Sequence, residues 1–149
     1  YLVLNNLIDS PILYLSKYIN KTKQEYYKLF NEVRNNNNFE DWILYILKAI
    51  EITSKETITL IEKIQNEMKN YKEEFRSKLP KIYSKELLES LFYEVYTKIS
   101  YIEKACNVTR LTASSYLNQL EEVGLLESEK VGRERLYKNT RLIKLLSKN

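Results

Sequence analysis

Histidine is absent from this 149-residue chain, and glycine occurs only at Gly124 and Gly132. The first absence excludes a histidine acid or base, a His–Cys nucleophile pair and a mixed His/Cys zinc site. The second argues against a phosphate-cradling loop, which needs backbone N–H groups at close approach and usually several glycines. The single cysteine, Cys106, permits no internal disulfide. It lies in an apolar helical pattern and reads as a small core residue, so the chain reads as cytoplasmic. No apolar run reaches membrane-spanning length and no signal peptide is found, so no membrane partner is expected. Tyr1 is not an initiator Met, and the chain reads as a fragment.

What is present is globular in composition. Hydrophobic residues make up 44% and charged residues 30%, enough for a core and a solvated surface. The length suits one ordinary domain or two small ones. The net charge of +4 is mild but unevenly placed. From Ser128 onward, Lys130, Arg133, Arg135, Lys138, Arg141, Lys144 and Lys148 are opposed only by Glu129 and Glu134, which permits nucleic-acid contact there. The pairs Glu73-Glu74 and Glu121-Glu122 point about 100° apart on a helix and cannot act as acid and base together. Tyr14, Tyr26, Tyr27 and Tyr45 fall in helical patterns with Leu and Ile, and read as core and boundary residues.

The punctuation predicts elements. Ser10-Pro11 starts a helix running to about Asn20. Thr22-Lys23-Gln24-Glu25 is a capping box opening a second helix with Tyr26, Tyr27, Phe30 and Val33. Asn38 caps a third helix, with Glu40 and Asp41 at its positive end. Nothing interrupts that helix until Pro80. Ile50, Ser54, Thr57, Ile61, Ile64, Met68, Tyr71 and Phe75 alternate four and three apart along it, which reads either as packing within its own domain or as a homodimer seam. Ser77 to Lys81 is the expected domain boundary, because Pro80 forces the preceding residue out of helical geometry.

Beyond it the elements shorten. Ser84 caps a helix with Leu87, Leu88, Leu91 and Phe92; another covers Ile99 to Cys106; Asn107-Val108 turns; Thr109 caps a third that ends at Gly124. Leu125 to Val131 and Arg135 to Lys138 read as strands around a Gly132-Arg133-Glu134 turn, and Arg141 to Leu146 as a last helix. The expected fold is mainly α: a helical domain over residues 1–79 with one long helix, then a winged helix-turn-helix over 80–149. In that third helix Ala113, Tyr116, Leu117 and Leu120 form the packing face. Arg110, Leu111, Ser114, Ser115 and Asn118 form the outer one, with Arg133 and Arg135 at the wing tip and Lys138 behind them. These eight residues are the candidate contacts to duplex DNA, through phosphates, base edges and the helix dipole. Protein docking is the competing use, and Glu121, Glu122 and Glu134 weigh toward it.

The stretch Pro11-Ile12-Leu13-Tyr14-Leu15-Ser16-Lys17-Tyr18-Ile19, then Tyr26-Tyr27 and Trp42-Ile43, resembles the segment that follows the active-site loop in Fic-family proteins. Leu111-Thr112-Ala113, Tyr116-Leu117, Leu120, Gly124-Leu125-Leu126 and Gly132-Arg133-Glu134-Arg135-Leu136-Tyr137-Lys138-Asn139 are similar to the winged helix ending many bacterial Fic proteins. The resemblance implies a parent that transfers AMP from a nucleotide to a protein hydroxyl, using a His-Pro-Phe segment followed by Gly-Asn-Gly-Arg. This sequence has neither, so no catalytic, cofactor or metal residue carries over. Residues Tyr1 to Ile8 would match the helix after that loop. The implied role is a C-terminal regulatory, DNA-binding portion; the alternative is a protein-interaction or dimerisation module positioning an upstream Fic catalytic domain in the same chain.

Overall fold

The computed structural model describes residues 2–9 and 13–147. Residues 2–9 form turns rather than a helix: Leu7 N–H donates to Leu2 O and Asn6 takes φ 55°. Asn tolerates the left-handed region and favours turns, which explains the departure. The expected Ser10-Pro11 helix start lies outside the described residues. Helix α1 (Leu15–Lys21), α2 (Lys23–Asn36) and α3 (Phe39–Lys78) follow.

Thr22 does not form the expected capping box. Its hydroxyl donates to Tyr18 O (2.9 Å) and bonds the Tyr45 hydroxyl (2.7 Å), so it closes α1 instead of opening α2. Asn37, left-handed at φ 52°, ends α2.

The chain divides into two compact units, Tyr1–Ile61 and Glu62–Asn149. The division falls within α3, upstream of the boundary expected near Pro80. The last turns of α3 carry Tyr71 and Phe75, which are fully buried in the core of the second unit. The lower part of the heptad stripe is therefore internal packing.

In the first unit, Tyr26 lies against Trp42 (ring centroids 5.1 Å), and Phe30, Tyr45 and Tyr18 extend the cluster. Lys17 and Lys21 reach Glu56 at 3.0 and 3.4 Å. Tyr45, Ala49 and Thr53 are the buried residues among those described. Of the tyrosines expected at core and boundary positions, Tyr45 is buried and Tyr26 half-buried, whereas Tyr14, just before α1, and Tyr27 are exposed, since α2 turns the stripe of Tyr26 inward.

The second unit continues with α4 (Lys85–Tyr93), β1 (Tyr96–Thr97), α5 (Ile99–Cys106), α6 (Arg110–Glu122), β2 (Glu127–Val131), β3 (Glu134–Lys138) and α7 (Thr140–Ser147). This is the expected order of three helices and a hairpin, plus a short extra strand. Ser84 Oγ accepts from Leu87 N–H (3.1 Å) and Thr109 Oγ1 from Thr112 N–H (3.3 Å), each cap stabilising its helix by about 1 kcal/mol. Gly124 adopts φ 77° just past α6, where a Cβ would be strained. Leu87, Leu91, Ile102, Ala113, Leu117, Leu120, Leu125 and Tyr137 join Tyr71 and Phe75 in one core. The antiparallel sheet has the order β1-β3-β2, with Thr97 opposite Tyr137 and Tyr137 opposite Ser128. Arg141 on α7 bonds Glu74 (2.6 Å) and Glu67 (3.4 Å) of α3, its guanidinium 5.5 Å from the Tyr71 ring.

Candidate nucleic-acid interface

Helix α6 turns Ala113, Leu117 and Leu120 into the core, which leaves Arg110, Leu111 and Ser115 outward. Leu111 is 85% exposed. Ser114 and Asn118 are half-buried at the margin. Ser115 Oγ accepts from Gln119 Nε2 (3.1 Å). Asn118 is engaged with the sheet: its Oδ1 accepts from Tyr137 Oη (2.8 Å) and from an Arg135 guanidinium nitrogen (3.3 Å).

Side chains alternate across a strand, so β3 sends its residues to two faces. Tyr137 and Arg135 face α6. Arg135 lies within the ladder opposite Lys130, not at the hairpin tip where the sequence pattern puts it. Its guanidinium donates to Ser128 Oγ (2.7 Å), Glu121 Oε2 (2.6 Å) and Asn118, and lies 5.2 Å from the Tyr137 ring. Burial raises the Tyr137 hydroxyl pKa, so it stays a proton donor. Lys138 points to the other face, where it pairs with Glu129 and lies over the Tyr96 ring. The odd spacing of Arg135 and Lys138 along β3 thus sets on opposite faces two cations expected to act together.

The tip itself is Gly132-Arg133, with Gly132 at φ 61°. Arg133 and Arg110 make no ion pair among the described residues. They line a cleft of about 290 Å³ together with Lys98, Ile99, Ser100, Glu134 and Arg135. Four cations face one carboxylate in it. Glu134 is taken by Lys98, whose ammonium pKa it raises through their hydrogen bond. The first turn of α5 opens on the cleft with no side-chain cap, so its N–H groups add positive potential.

Of the eight sequence candidates, the cleft gathers Arg110, Arg133 and Arg135. Leu111, Ser114, Ser115 and Asn118 stay on α6, and Lys138 lies apart. Lys98 and Ser100 carry no signal in the sequence, because only β1 brings the start of α5 beside the β2–β3 hairpin, and a two-residue strand leaves no periodicity. Among the described residues no group of His, Cys, Asp and Glu could hold a metal ion, and no helix is long and apolar enough to cross a membrane. Residues 68–142 match the family described as protein adenylyltransferase SoFic-like, C-terminal domain.

Proposed function

Since the chain belongs to the SoFic-like protein adenylyltransferases through their C-terminal domain, we propose that it serves them as a regulatory winged helix that contacts duplex DNA. The observation carrying this reading is the cleft between hairpin and helices, where Arg110 and Arg133, with no ion pair among the described residues, line the same space as the uncapped first turn of α5. A duplex phosphate seated there would be met by two guanidiniums and by Ser100. With the backbone so held, α6 would offer Leu111, Ser114 and Ser115 to the groove, Leu111 as an apolar contact to a thymine methyl. Arg135 and Asn118 have a different task, holding wing to helix.

Phosphate contact makes binding salt-dependent through counterion release. Fluorescence anisotropy with random-sequence duplex should show affinity falling steeply as salt rises. Arg110→Ala and Arg133→Ala should each weaken binding to every sequence and flatten the salt slope by about one. Absence of binding at low salt, or slopes unchanged in both variants, would exclude the cleft as a phosphate site.

A second reading concerns the first unit. Leu4, Leu7, Phe30, Ile43, Leu44 and Leu47 are exposed there, while Tyr45, Ala49 and Thr53 are the buried residues among those described. This apolar exposure supports docking against a Fic catalytic domain, which on this reading would lie upstream in the same protein. Leu44→Lys with Leu47→Lys should then impair AMP transfer by that protein while leaving the helical content of this chain intact. Unchanged transfer would remove the reading.

A further inference from the structure

We propose that the groove between α4 and α5 docks a basic segment of a partner protein, one whose Lys or Arg side chains are interleaved with apolar ones. The groove measures about 600 Å³, and Glu86, Glu89, Tyr93, Glu94, Tyr101 and Lys104 are among its lining residues. The inner side of α4, Leu87, Leu88 and Leu91, is fully committed to the core. Tyr93 at its end is 86% exposed, and Tyr101 on α5 is also exposed. Two tyrosines set on the rim of a concave surface, contributing little to their own core, present ring faces to whatever enters.

The charge around those rings selects the occupant. Three carboxylates line the groove against one ammonium. Glu86 and Glu94 make no ion pair among the described residues, and Glu89 has only Lys85 at 3.5 Å on an exposed surface. The C-terminal end of α4 points its negative pole to the same place, beside Tyr93 and Glu94. Carboxylates, a helix C-terminus and tyrosine faces all favour a cation, and the ring faces and aliphatic stems between them favour apolar neighbours on the same segment. A nucleic-acid backbone is repelled here by the same charges. The cation-lined wing cleft of this unit therefore answers to a different ligand, and the two surfaces are separable by mutation.

The test titrates the full chain into a short fluorescein-labelled peptide of alternating Lys and Leu, followed by anisotropy. A Glu–Leu peptide tests the charge and a Lys–Gly peptide tests the apolar part. The Lys–Leu peptide should bind and the other two should bind at least about tenfold more weakly. Tyr93→Ala with Tyr101→Ala should cost about tenfold, and Glu86→Lys with Glu94→Lys should abolish binding. Arg110→Ala and Arg133→Ala should leave it unchanged. Circular dichroism checks that the variants stay folded, and Glu94→Lys alone, at an exposed position, decides should the tyrosine pair unfold. No binding of the Lys–Leu peptide, equal binding by the Glu–Leu peptide, or groove variants that bind as the parent does would overturn the proposal. So would concentration-dependent self-association that the same groove variants abolish, since the occupant would then be a second copy.

Discussion

Tyr137 and Arg135 both deliver hydrogens to Oδ1 of Asn118, and Arg135 also grips Ser128 and Glu121. Five residues from α6, β2 and β3 thus fasten the hairpin to its helix. Asn118→Ala strands the buried Tyr137 hydroxyl, and the loss should be about 1–3 kcal/mol in urea unfolding. Tyr137→Phe removes the donor as well, so the double variant should cost clearly less than the sum of the singles. Additive singles, or an Asn118→Ala cost below about 0.5 kcal/mol, would mean that the network does not hold the hairpin. Leu111→Ala is the contrasting case. At 85% exposure it should leave stability within about 0.5 kcal/mol of the parent, so any change in DNA affinity reads contact rather than folding.

Helix α7 is held to α3 through Arg141, whose guanidinium spans Glu74 and Glu67 and covers Tyr71. The Glu74 carboxyl is lowered from its ordinary 4.5 by hydrogen bonds from Lys78 and then Arg141. A lowered carboxyl contributes stability that is present above the ordinary value and lost as pH falls through the folded one. Arg141→Ala should therefore cost about 1–2 kcal/mol near neutral pH, and its deficit should shrink below pH 4.5. A deficit constant with pH would assign the effect to packing on Tyr71 instead. Elements with a strong local signal were legible in advance: α3 through its uninterrupted length, α4 and α6 through Ser84 and Thr109, the end of α6 through Gly124. Long-range partners were not. Thr22 finds Tyr45 across 23 positions, and β1 exists only because β3 offers an edge. The candidate site was legible as a face of α6 and a basic hairpin. Which cations are neutralised depends on strand alternation and on carboxylates far away in sequence, so Arg135 and Arg133 looked alike.

At the scale of the molecule, family membership and composition together bear on activity. The purified chain should transfer no label from ATP to candidate proteins, since a sequence without histidine lacks the base that the Fic motif uses. Label transfer traceable to this chain would refute that. If the upper stripe of α3 pairs copies of the chain, Ile61→Lys with Ile64→Lys should convert the dimer to monomer in sedimentation. A parent that sediments as a monomer at high concentration removes the seam altogether. The aromatic cluster of the first unit has one more consequence. Trp42 is the sole tryptophan of the sequence, and it sits among Tyr26, Phe30 and Tyr45. Excited at the red edge, where tyrosine does not absorb, the chain emits from one place only. Its emission is a private optical report on the first unit, silent about the other, whereas far-ultraviolet ellipticity sums the helices of both. Overlaying the two signals along a denaturant series separates a single cooperative transition from two successive ones, with no label added.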